Sequence, residues 1–182
     1  MSIPLQARSG AWQPALELLE PISLVRCCTS PLGRNLCMIV TETAVHVYAT
    51  SDESPNLSFE PVTSFFLGCR ATGASWSPST QHASTAWRIE ILVATETNEL
   101  RLLESVRQGS EASTSNKKLA DTYARVTDLA WCASPGYESY AAAACSDGTV
   151  RLWDLEGGCR THYLDSAVLS VAFYPNVPKL LL

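Results

Sequence analysis

The stretch that decides the fold reads Ala142-Ala-Ala-Cys-Ser-Asp-Gly-Thr-Val-Arg-Leu-Trp-Asp-Leu155. Its apolar start ends at Cys145, and Thr149-Val-Arg-Leu-Trp153 alternates with the period of a strand that has one buried face. Ser146-Asp-Gly148 lies between the two. An Asp-Gly pair in this place is a strong hairpin signal, and a type I′ turn is expected because these residues tolerate positive φ. The stretch therefore predicts a β-hairpin.

The segment just upstream of this hairpin belongs to an internal repeat. Arg70-Ala-Thr-Gly-Ala-Ser-Trp76 aligns with Arg125-Val-Thr-Asp-Leu-Ala-Trp131 and with Ala167-Val-Leu-Ser-Val-Ala-Phe173. Each copy alternates small or apolar residues into an aromatic residue, which again indicates a strand. The spacing from Trp131 to Phe173 matches the roughly 40–45 residues of one propeller blade. The chain is thus predicted to be all-β, with one four-stranded blade per repeat.

The repeat divides the chain into a short extension and a series of blades. We assign residues 1–20 to an N-terminal extension and residues 21–182 to an incomplete propeller of roughly three and a half blades. The blades span 21–66, 67–124, 125–166 and 167–182. The second blade is longer than the others because of the polar, non-periodic segment 108–118, which is expected to form a flexible surface loop.

The incomplete series has a physical consequence. A propeller avoids exposed sheet edges by closing a ring of typically about 4–8 blades. The last blade is therefore expected to expose Val168, Val171, Phe173 and residues 180–182. We expect a fragment, a truncated product, or a chain that needs a partner.

The segment Ala142–Leu155 resembles the signature of the WD40 repeat family along its full length. In that family a turn Asp, a strand Ser or Thr, a Trp, and the His of a Gly-His pair form a hydrogen-bonded set. Asp147 and Trp153 match two members, and Tyr123-Ala124 stands where the Gly-His pair is expected. The residues that the resemblance assigns to the structural WD motif are Ser146, Asp147, Gly148, Trp153 and Asp154.

Three segments in order, Gly73–Thr80, Ser146–Gly157 and Val168–Pro175, are together similar to the first half of the small propeller nucleoporins of the Y-shaped complex. This resemblance implies a structural scaffold in the outer ring of the nuclear pore complex, at the nuclear envelope of the nucleus. It also implies a partner, the large propeller-and-solenoid scaffold nucleoporin of that complex. No partner-contact residue follows from it, because contact positions have no motif.

Other WD40 adaptors remain open as an alternative, such as a ubiquitin-ligase substrate receptor or a chromatin-complex subunit. A propeller by itself does not distinguish these roles, because function lies in sites carried by the fold. A propeller enzyme would need convergent polar groups at the central channel, and this stretch of sequence shows none.

Composition excludes several classes of function. Hydrophobic residues make up 46% and charged residues 17% of the 182 residues, which is typical of a globular protein. The net charge of -5 and the lack of a Lys/Arg run argue against direct binding of nucleic acid. No stretch reaches the roughly 18 apolar residues of a membrane span, so no membrane insertion is expected.

Catalytic and metal-binding patterns are weak. The seven cysteines include no C-x-x-C pair, so no metal site is predicted. Gly73-Ala-Ser-Trp-Ser77 departs from the nucleophile elbow in its last residue and lies in a strand pattern. His46, His82 and His162 are scattered and are expected at surfaces. We therefore predict no catalytic residue, no cofactor and no small-molecule substrate.

Overall fold

A computed structural model describes residues 18–53, 56–174, 180 and 181. Most of the predicted extension, residues 1–17, lies outside the described residues. Within them the chain forms β-strands and no helix, and every strand pair is antiparallel. The all-β prediction is therefore confirmed.

Fifteen strands build the described part of the chain, in four sheets. The first sheet contains β1 (Leu24–Cys27), β2 (Leu36–Val40), β3 (Ala44–Glu53) and β4 (Asn56–Phe66). The second contains β5 (Ala71–Trp76), β6 (Gln81–His82), β7 (Ala86–Thr95), β8 (Glu99–Gln108) and β9 (Glu111–Asp121). The third contains β10 (Val126–Trp131), β11 (Tyr140–Cys145), β12 (Thr149–Asp154) and β13 (Cys159–Tyr163). The fourth pairs β14 (Ala172–Phe173) with β15 (Leu180–Leu181).

Each of the first three sheets is a meander in chain order, apart from β6, which pairs with the edge of β7. This is the topology of a propeller blade, and these sheets are called blades 1, 2 and 3 below. The four sheets of the described residues do not close into a ring. The fold is thus a β-propeller type in an open array.

Alternate residues of one strand enter different hydrophobic cores, which fixes how the blades stack. On β7, Ile91 and Val93 pack toward blade 1, whereas Leu92 and Ala94 pack toward blade 3. Successive side chains of a strand point to opposite faces of its sheet. A central strand of a blade that packs between two other blades must therefore be apolar on both faces. The run 141–144 repeats this arrangement with alanines, because its odd and even positions face the second and third cores.

The first strands of neighbouring blades lie side by side at the inner edge of the array. A Cβ on Gly73 of β5 would lie 3.3 Å from the Cβ of Leu129 on β10, so glycine permits the close approach. The backbone N–H of Trp131 on β10 also donates to Oγ of Ser75 on β5 at 3.0 Å. Blades 2 and 3 are therefore joined through their inner strands.

The expectation of a flexible loop over 108–118 is corrected by the structure. Only Gly109 and Ser110 form the turn, with Gly109 at a φ of 62°, and β9 then pairs with β8 over its whole length. All side chains from Glu111 to Lys118 are exposed. Neither face of this outer strand is covered, so its sequence carries no apolar alternation, and its order comes from backbone pairing.

The exposure expected for the last segment is also corrected. Val168 is 6% and Val171 is 4% exposed, because both pack against Ala142, Ala144 and Val150 of blade 3. Phe173 is partly buried in the same cluster. The side chains of residues 180–182 lie outside the described part of the structure.

Candidate functional site

The predicted WD turn lies between β11 and β12, where it closes a hairpin. Oδ1 of Asp147 accepts hydrogen bonds from the backbone N–H of Thr149 at 3.0 Å and from its hydroxyl at 2.6 Å. These bonds hold the pKa of Asp147 below its usual value. Ser146 and Asp147 are exposed, whereas Gly148 and Thr149 are buried. Asp147 therefore stabilises the turn through its hydrogen bonds with Thr149, two residues further along the chain.

The turn is not of type I′, which corrects the expectation. Gly148 has a φ of 82°, and Asp147 is not in the positive-φ region that type I′ requires. The N–H of Gly148 donates to the carbonyl of Cys145 at 3.3 Å. This geometry is that of a three-residue hairpin loop, a type I turn followed by a left-handed residue. A single positive φ suffices here because the loop is one residue longer.

Blade 2 carries the same turn with different residues. Asn98 has a φ of 58°, and its N–H donates to the carbonyl of Thr95 at 3.0 Å. By this correspondence Asn98 and Gly148 are equivalent, and Arg101 on β8 is equivalent to Arg151 on β12. Blades 2 and 3 thus share the same turn conformation, although residues 96–98 and 146–148 differ completely in sequence.

The remaining motif residues, Trp153 and Asp154, lie at the far end of β12. Trp153 is 6% exposed and packs in the core between blades 2 and 3. Oδ1 of Asp154 accepts from the N–H of Glu156 at 3.2 Å within the next turn. Within the described residues no hydrogen bond joins Trp153 to Asp147. The five motif residues are therefore spread along a hairpin and form no single site.

Tyr123 occupies the place where the Gly-His pair was expected. It has a φ of 58° and is 81% exposed, an uncommon conformation for a bulky residue. Its ring faces the guanidinium of Arg151, with Cζ 5.3 Å from the ring centroid. Sequence reasoning missed this pair, because nothing in the local pattern announces a left-handed tyrosine.

Arg151 and Tyr123 border a groove of about 530 Å³ between blades 2 and 3. Strands β8 and β9 and the segment after β9 supply one side, and β12, β13 and their turn supply the other. The lining includes Leu100, Leu119, Trp153, Leu155 and Cys159. This inter-blade groove is a concave surface that borders Trp153 and Asp154 of the WD motif.

The charge of Arg151 lowers the pKa of two nearby thiols, although burial outweighs this effect. Burial raises the pKa of Cys145, and the nearby guanidinium only partly offsets that effect. The pKa of Cys159 is raised for the same reason and lowered in part by Arg151. Both thiols are therefore protonated at neutral pH and give Arg151 no anionic partner.

A second polar cluster lies at the inner strands. Oδ1 of Asp128 on β10 accepts from Nη2 of Arg26 on β1 at 2.6 Å, and Oδ2 accepts from Oγ of Ser170 at 2.7 Å. Burial raises the pKa of Asp128, but these hydrogen bonds, with that from the N–H of Val171, leave it below its usual value. A cavity of about 240 Å³ adjoins this cluster and is also lined by Arg70 and Arg125.

The residues considered for catalysis are not brought together. Ser75 accepts from Trp131, as described above, and the hydroxyl of Ser77 donates to the carboxylate of Glu90 at 2.9 Å. His46 pairs with Ser64 and His82 with Asn35, whereas His162 is exposed on β13. Ser75 and Ser77 thus form hydrogen bonds within the fold.

Neither a metal-binding cluster nor a membrane-spanning helix occurs within the described residues. No group of three or more His, Cys, Asp or Glu side chains is placed to hold a metal ion. Among the same residues no helix is long and apolar enough to cross a membrane.

Comparisons with known proteins support the fold but show no family. No family model matches the sequence. The zebrafish (Danio rerio) protein "Activating molecule in BECN1-regulated autophagy protein 1B" is 39% identical over 56 residues, which cover 29% of this chain and 4% of that protein. A crystal structure of BBS1N in complex with ARL6DN, soaked with mercury, matches 86% of this chain and 44% of its own, with a TM-score of 0.53 and 16% identity. That likeness shows a propeller-like fold, and this chain spans less than half of either protein.

Proposed function

We propose that this chain is a protein-interaction scaffold without catalytic activity. The observation that carries the proposal is the stacking of the blades, because alternate residues of the central strands face different inter-blade cores. The turns, the outer strands and the grooves between blades remain to contact other molecules. A rigid stack that presents such surfaces suits docking onto a larger assembly.

Within this class we propose a structural subunit of the outer ring of the nuclear pore complex, located at the nuclear envelope. Its partner is the large propeller-and-solenoid scaffold nucleoporin of the Y-shaped complex. Support comes from the three segments that resemble small propeller nucleoporins. Gly73–Thr80 includes the inner strand end of blade 2, and Ser146–Gly157 covers the WD turn and β12. The resemblance thus covers part of the inner strand of blade 2 and the central hairpin of blade 3.

A second candidate is an adaptor in the regulation of autophagy. The 56-residue likeness to the zebrafish autophagy protein favours it, although the match covers 4% of that protein. A ubiquitin-ligase substrate receptor or a chromatin-complex subunit would share the same propeller. All of these differ from the pore proposal in the assembly that the protein joins.

The test is affinity purification of the tagged protein from its own cells, followed by mass spectrometry of the recovered partners. We expect the scaffold nucleoporins of the Y-shaped complex in amounts stoichiometric with the bait, and a fluorescent fusion at the nuclear rim. The tag alone, expressed at the same level, is the control for carry-over.

Other outcomes separate the candidates. Recovery of a BECN1-containing, cullin-linked or chromatin assembly in place of the Y-shaped complex would contradict the pore role and keep the scaffold role. A purified protein that recovers no stoichiometric partner and shows no rim signal would contradict both.

A further inference from the structure

The groove between blades 2 and 3 combines apolar walls with the guanidinium of Arg151, which forms no salt bridge within the described residues. Leu119 and Leu155 supply apolar surface along it, and Arg151 lies near them on β12. Its volume of about 530 Å³ is large enough for side chains of a bound segment. The groove is open to solvent along the outer strands, so a bound segment reaches it without movement of the blades.

Arg151 lacks the partners that its counterpart in blade 2 has. Arg101, at the equivalent position of β8, donates to the carboxylate of Glu99 at 2.6 Å and to the carbonyl of Leu67 at 3.1 Å. In blade 3 the residue equivalent to Glu99 is Thr149, which carries no charge. Within the described residues Arg151 forms no salt bridge, and its Nε is buried without an acceptor.

An unpaired, partly buried guanidinium is costly unless an anion completes it. A buried donor without a partner costs about 1–3 kcal/mol, and more when it is charged. Arginine presents its donors in a planar fork that fits a carboxylate with two parallel hydrogen bonds. The groove therefore presents a guanidinium that can donate hydrogen bonds to a carboxylate.

Tyr123 orients this fork. Its ring lies over the guanidinium, with Cζ 5.3 Å from the ring centroid, and this contact fixes the plane of the fork. Tyr123 holds a left-handed backbone conformation to do so, with a φ of 58°. Backbone strain of this kind is found at ligand clamps, where the surrounding structure maintains it.

We propose that the inter-blade groove binds an extended segment of a partner protein through one Asp or Glu side chain, which pairs with Arg151. An apolar residue next to that acid contacts Leu119 and Leu155, which are both partly exposed. This inference rests on the proposed scaffold function and names the chemistry of its partner. Asp121 and Asp154 also line the groove, so a single carboxylate is accommodated better than the multiple charges of nucleic acid or a phosphate cluster.

The test is selection from a displayed library of random linear peptides on the immobilised protein. Peptides are selected on the wild type alone, and the affinity of each for the wild type and for Arg151→Gln is then measured by fluorescence anisotropy. Arg160→Gln is the matched control, because Arg160 is an exposed arginine on the adjacent strand β13 and does not line the groove.

We expect the selected peptides to share an Asp or Glu next to an apolar residue. Arg151→Gln should weaken their binding about tenfold or more, and Arg160→Gln should not change it. Replacing the shared acid of the peptide by its amide should cause a similar loss, with little further loss in combination with Arg151→Gln. Equal binding to wild type and Arg151→Gln, or selected peptides without a shared acid, would overturn the proposal.

A thermal scan of the free proteins shows whether Arg151 is instead a structural residue. The unfolding midpoint of Arg151→Gln should stay the same or rise, because an unpaired cation is removed, whereas that of Arg101→Gln should fall. A clear fall for Arg151→Gln would also overturn the proposal. If peptide binding depends on the shared Asp or Glu but the Y-shaped complex is not recovered, only the pore role is rejected. If the Y-shaped complex is recovered but no such peptide binds, only the proposed groove site is rejected.

Discussion

Asp128 on β10 accepts a hydrogen bond from the guanidinium of Arg26 on β1 at 2.6 Å, and this pair joins the inner strands of blades 1 and 3. The second carboxylate oxygen accepts from Ser170 and from the N–H of Val171, which lead into the fourth sheet. The backbone N–H of Leu129 adds a fourth donor at 2.9 Å. One carboxylate thus connects three sheets whose residues lie far apart in the chain.

Replacing this carboxylate should destabilise the fold. We expect Asp128→Asn to lower the free energy of unfolding by about 2 kcal/mol, because charge-assisted hydrogen bonds are lost and Arg26 loses its anionic partner. Urea denaturation followed by tryptophan fluorescence measures the change. The exposed Asp165→Asn is the control and should change it by less than about 0.5 kcal/mol. An equal effect of both variants would mean that the network contributes nothing.

Stability should fall in acid because of the same group. The pKa of Asp128 is lower in the folded protein than its ordinary value, so its contribution is complete above the unfolded pKa of about 4 and is lost as pH falls through the folded value. We expect unfolding free energies from urea titrations to be lower at about pH 3 than at about pH 6. The decline should be shallower in Asp128→Asn, and parallel profiles for the two proteins would contradict this assignment.

Gly148 should be far less tolerant of alanine than Gly109. Both have positive φ, at 82° and 62°, but a Cβ on Gly148 would lie 2.7 Å from the carbonyl oxygen of Leu164, whereas Gly109 faces open space. Gly109→Ala should cost about 1 kcal/mol from backbone strain alone. Gly148→Ala should cost at least about 1 kcal/mol more, measured by chemical denaturation. Similar losses would show that the clash relaxes without cost.

Trp153 should be a packing residue. It is 6% exposed in the core between blades 2 and 3, so Trp153→Ala should lower the unfolding free energy by about 3–5 kcal/mol. The 81% exposed Tyr163 provides the contrast, and Tyr163→Ala should change it by less than about 0.5 kcal/mol. Calorimetry of the three proteins decides this, and a folded Trp153→Ala of normal stability would exclude the packing role.

Tyr123→Gly should relieve backbone strain without destabilising the fold. Glycine removes a left-handed strain of about 1–2 kcal/mol, while the lost contact with Arg151 costs about 0.5–1 kcal/mol. The unfolding free energy should therefore stay the same or rise slightly. Asn98→Gly, at the same φ of 58°, should gain less because asparagine tolerates this region. A loss above about 2 kcal/mol for Tyr123→Gly would show that the tyrosine holds the blades together.

Much of the fold was predictable because its determinants are local. The alternation in Ala142–Leu155 and the aligned copies ending at Trp76 and Trp131 predicted an all-β propeller, which the structure confirms. Strand β9 escaped prediction because an outer strand with two exposed faces needs no apolar pattern. The turn at Asp147 was expected in the right place but with the wrong type, since one extra loop residue leaves the positive φ to Gly148 alone.

By itself, the sequence determined the hairpins, their order and the apolar character of the central strands, because those properties depend on neighbours within one blade. Only the tertiary structure decided which side chains meet. Asp128 on blade 3 contacts Arg26 on blade 1, and Tyr123 contacts Arg151 from the opposite side of a groove. These contacts join residues that are distant in the chain and follow no period, so they arise only when the blades stack.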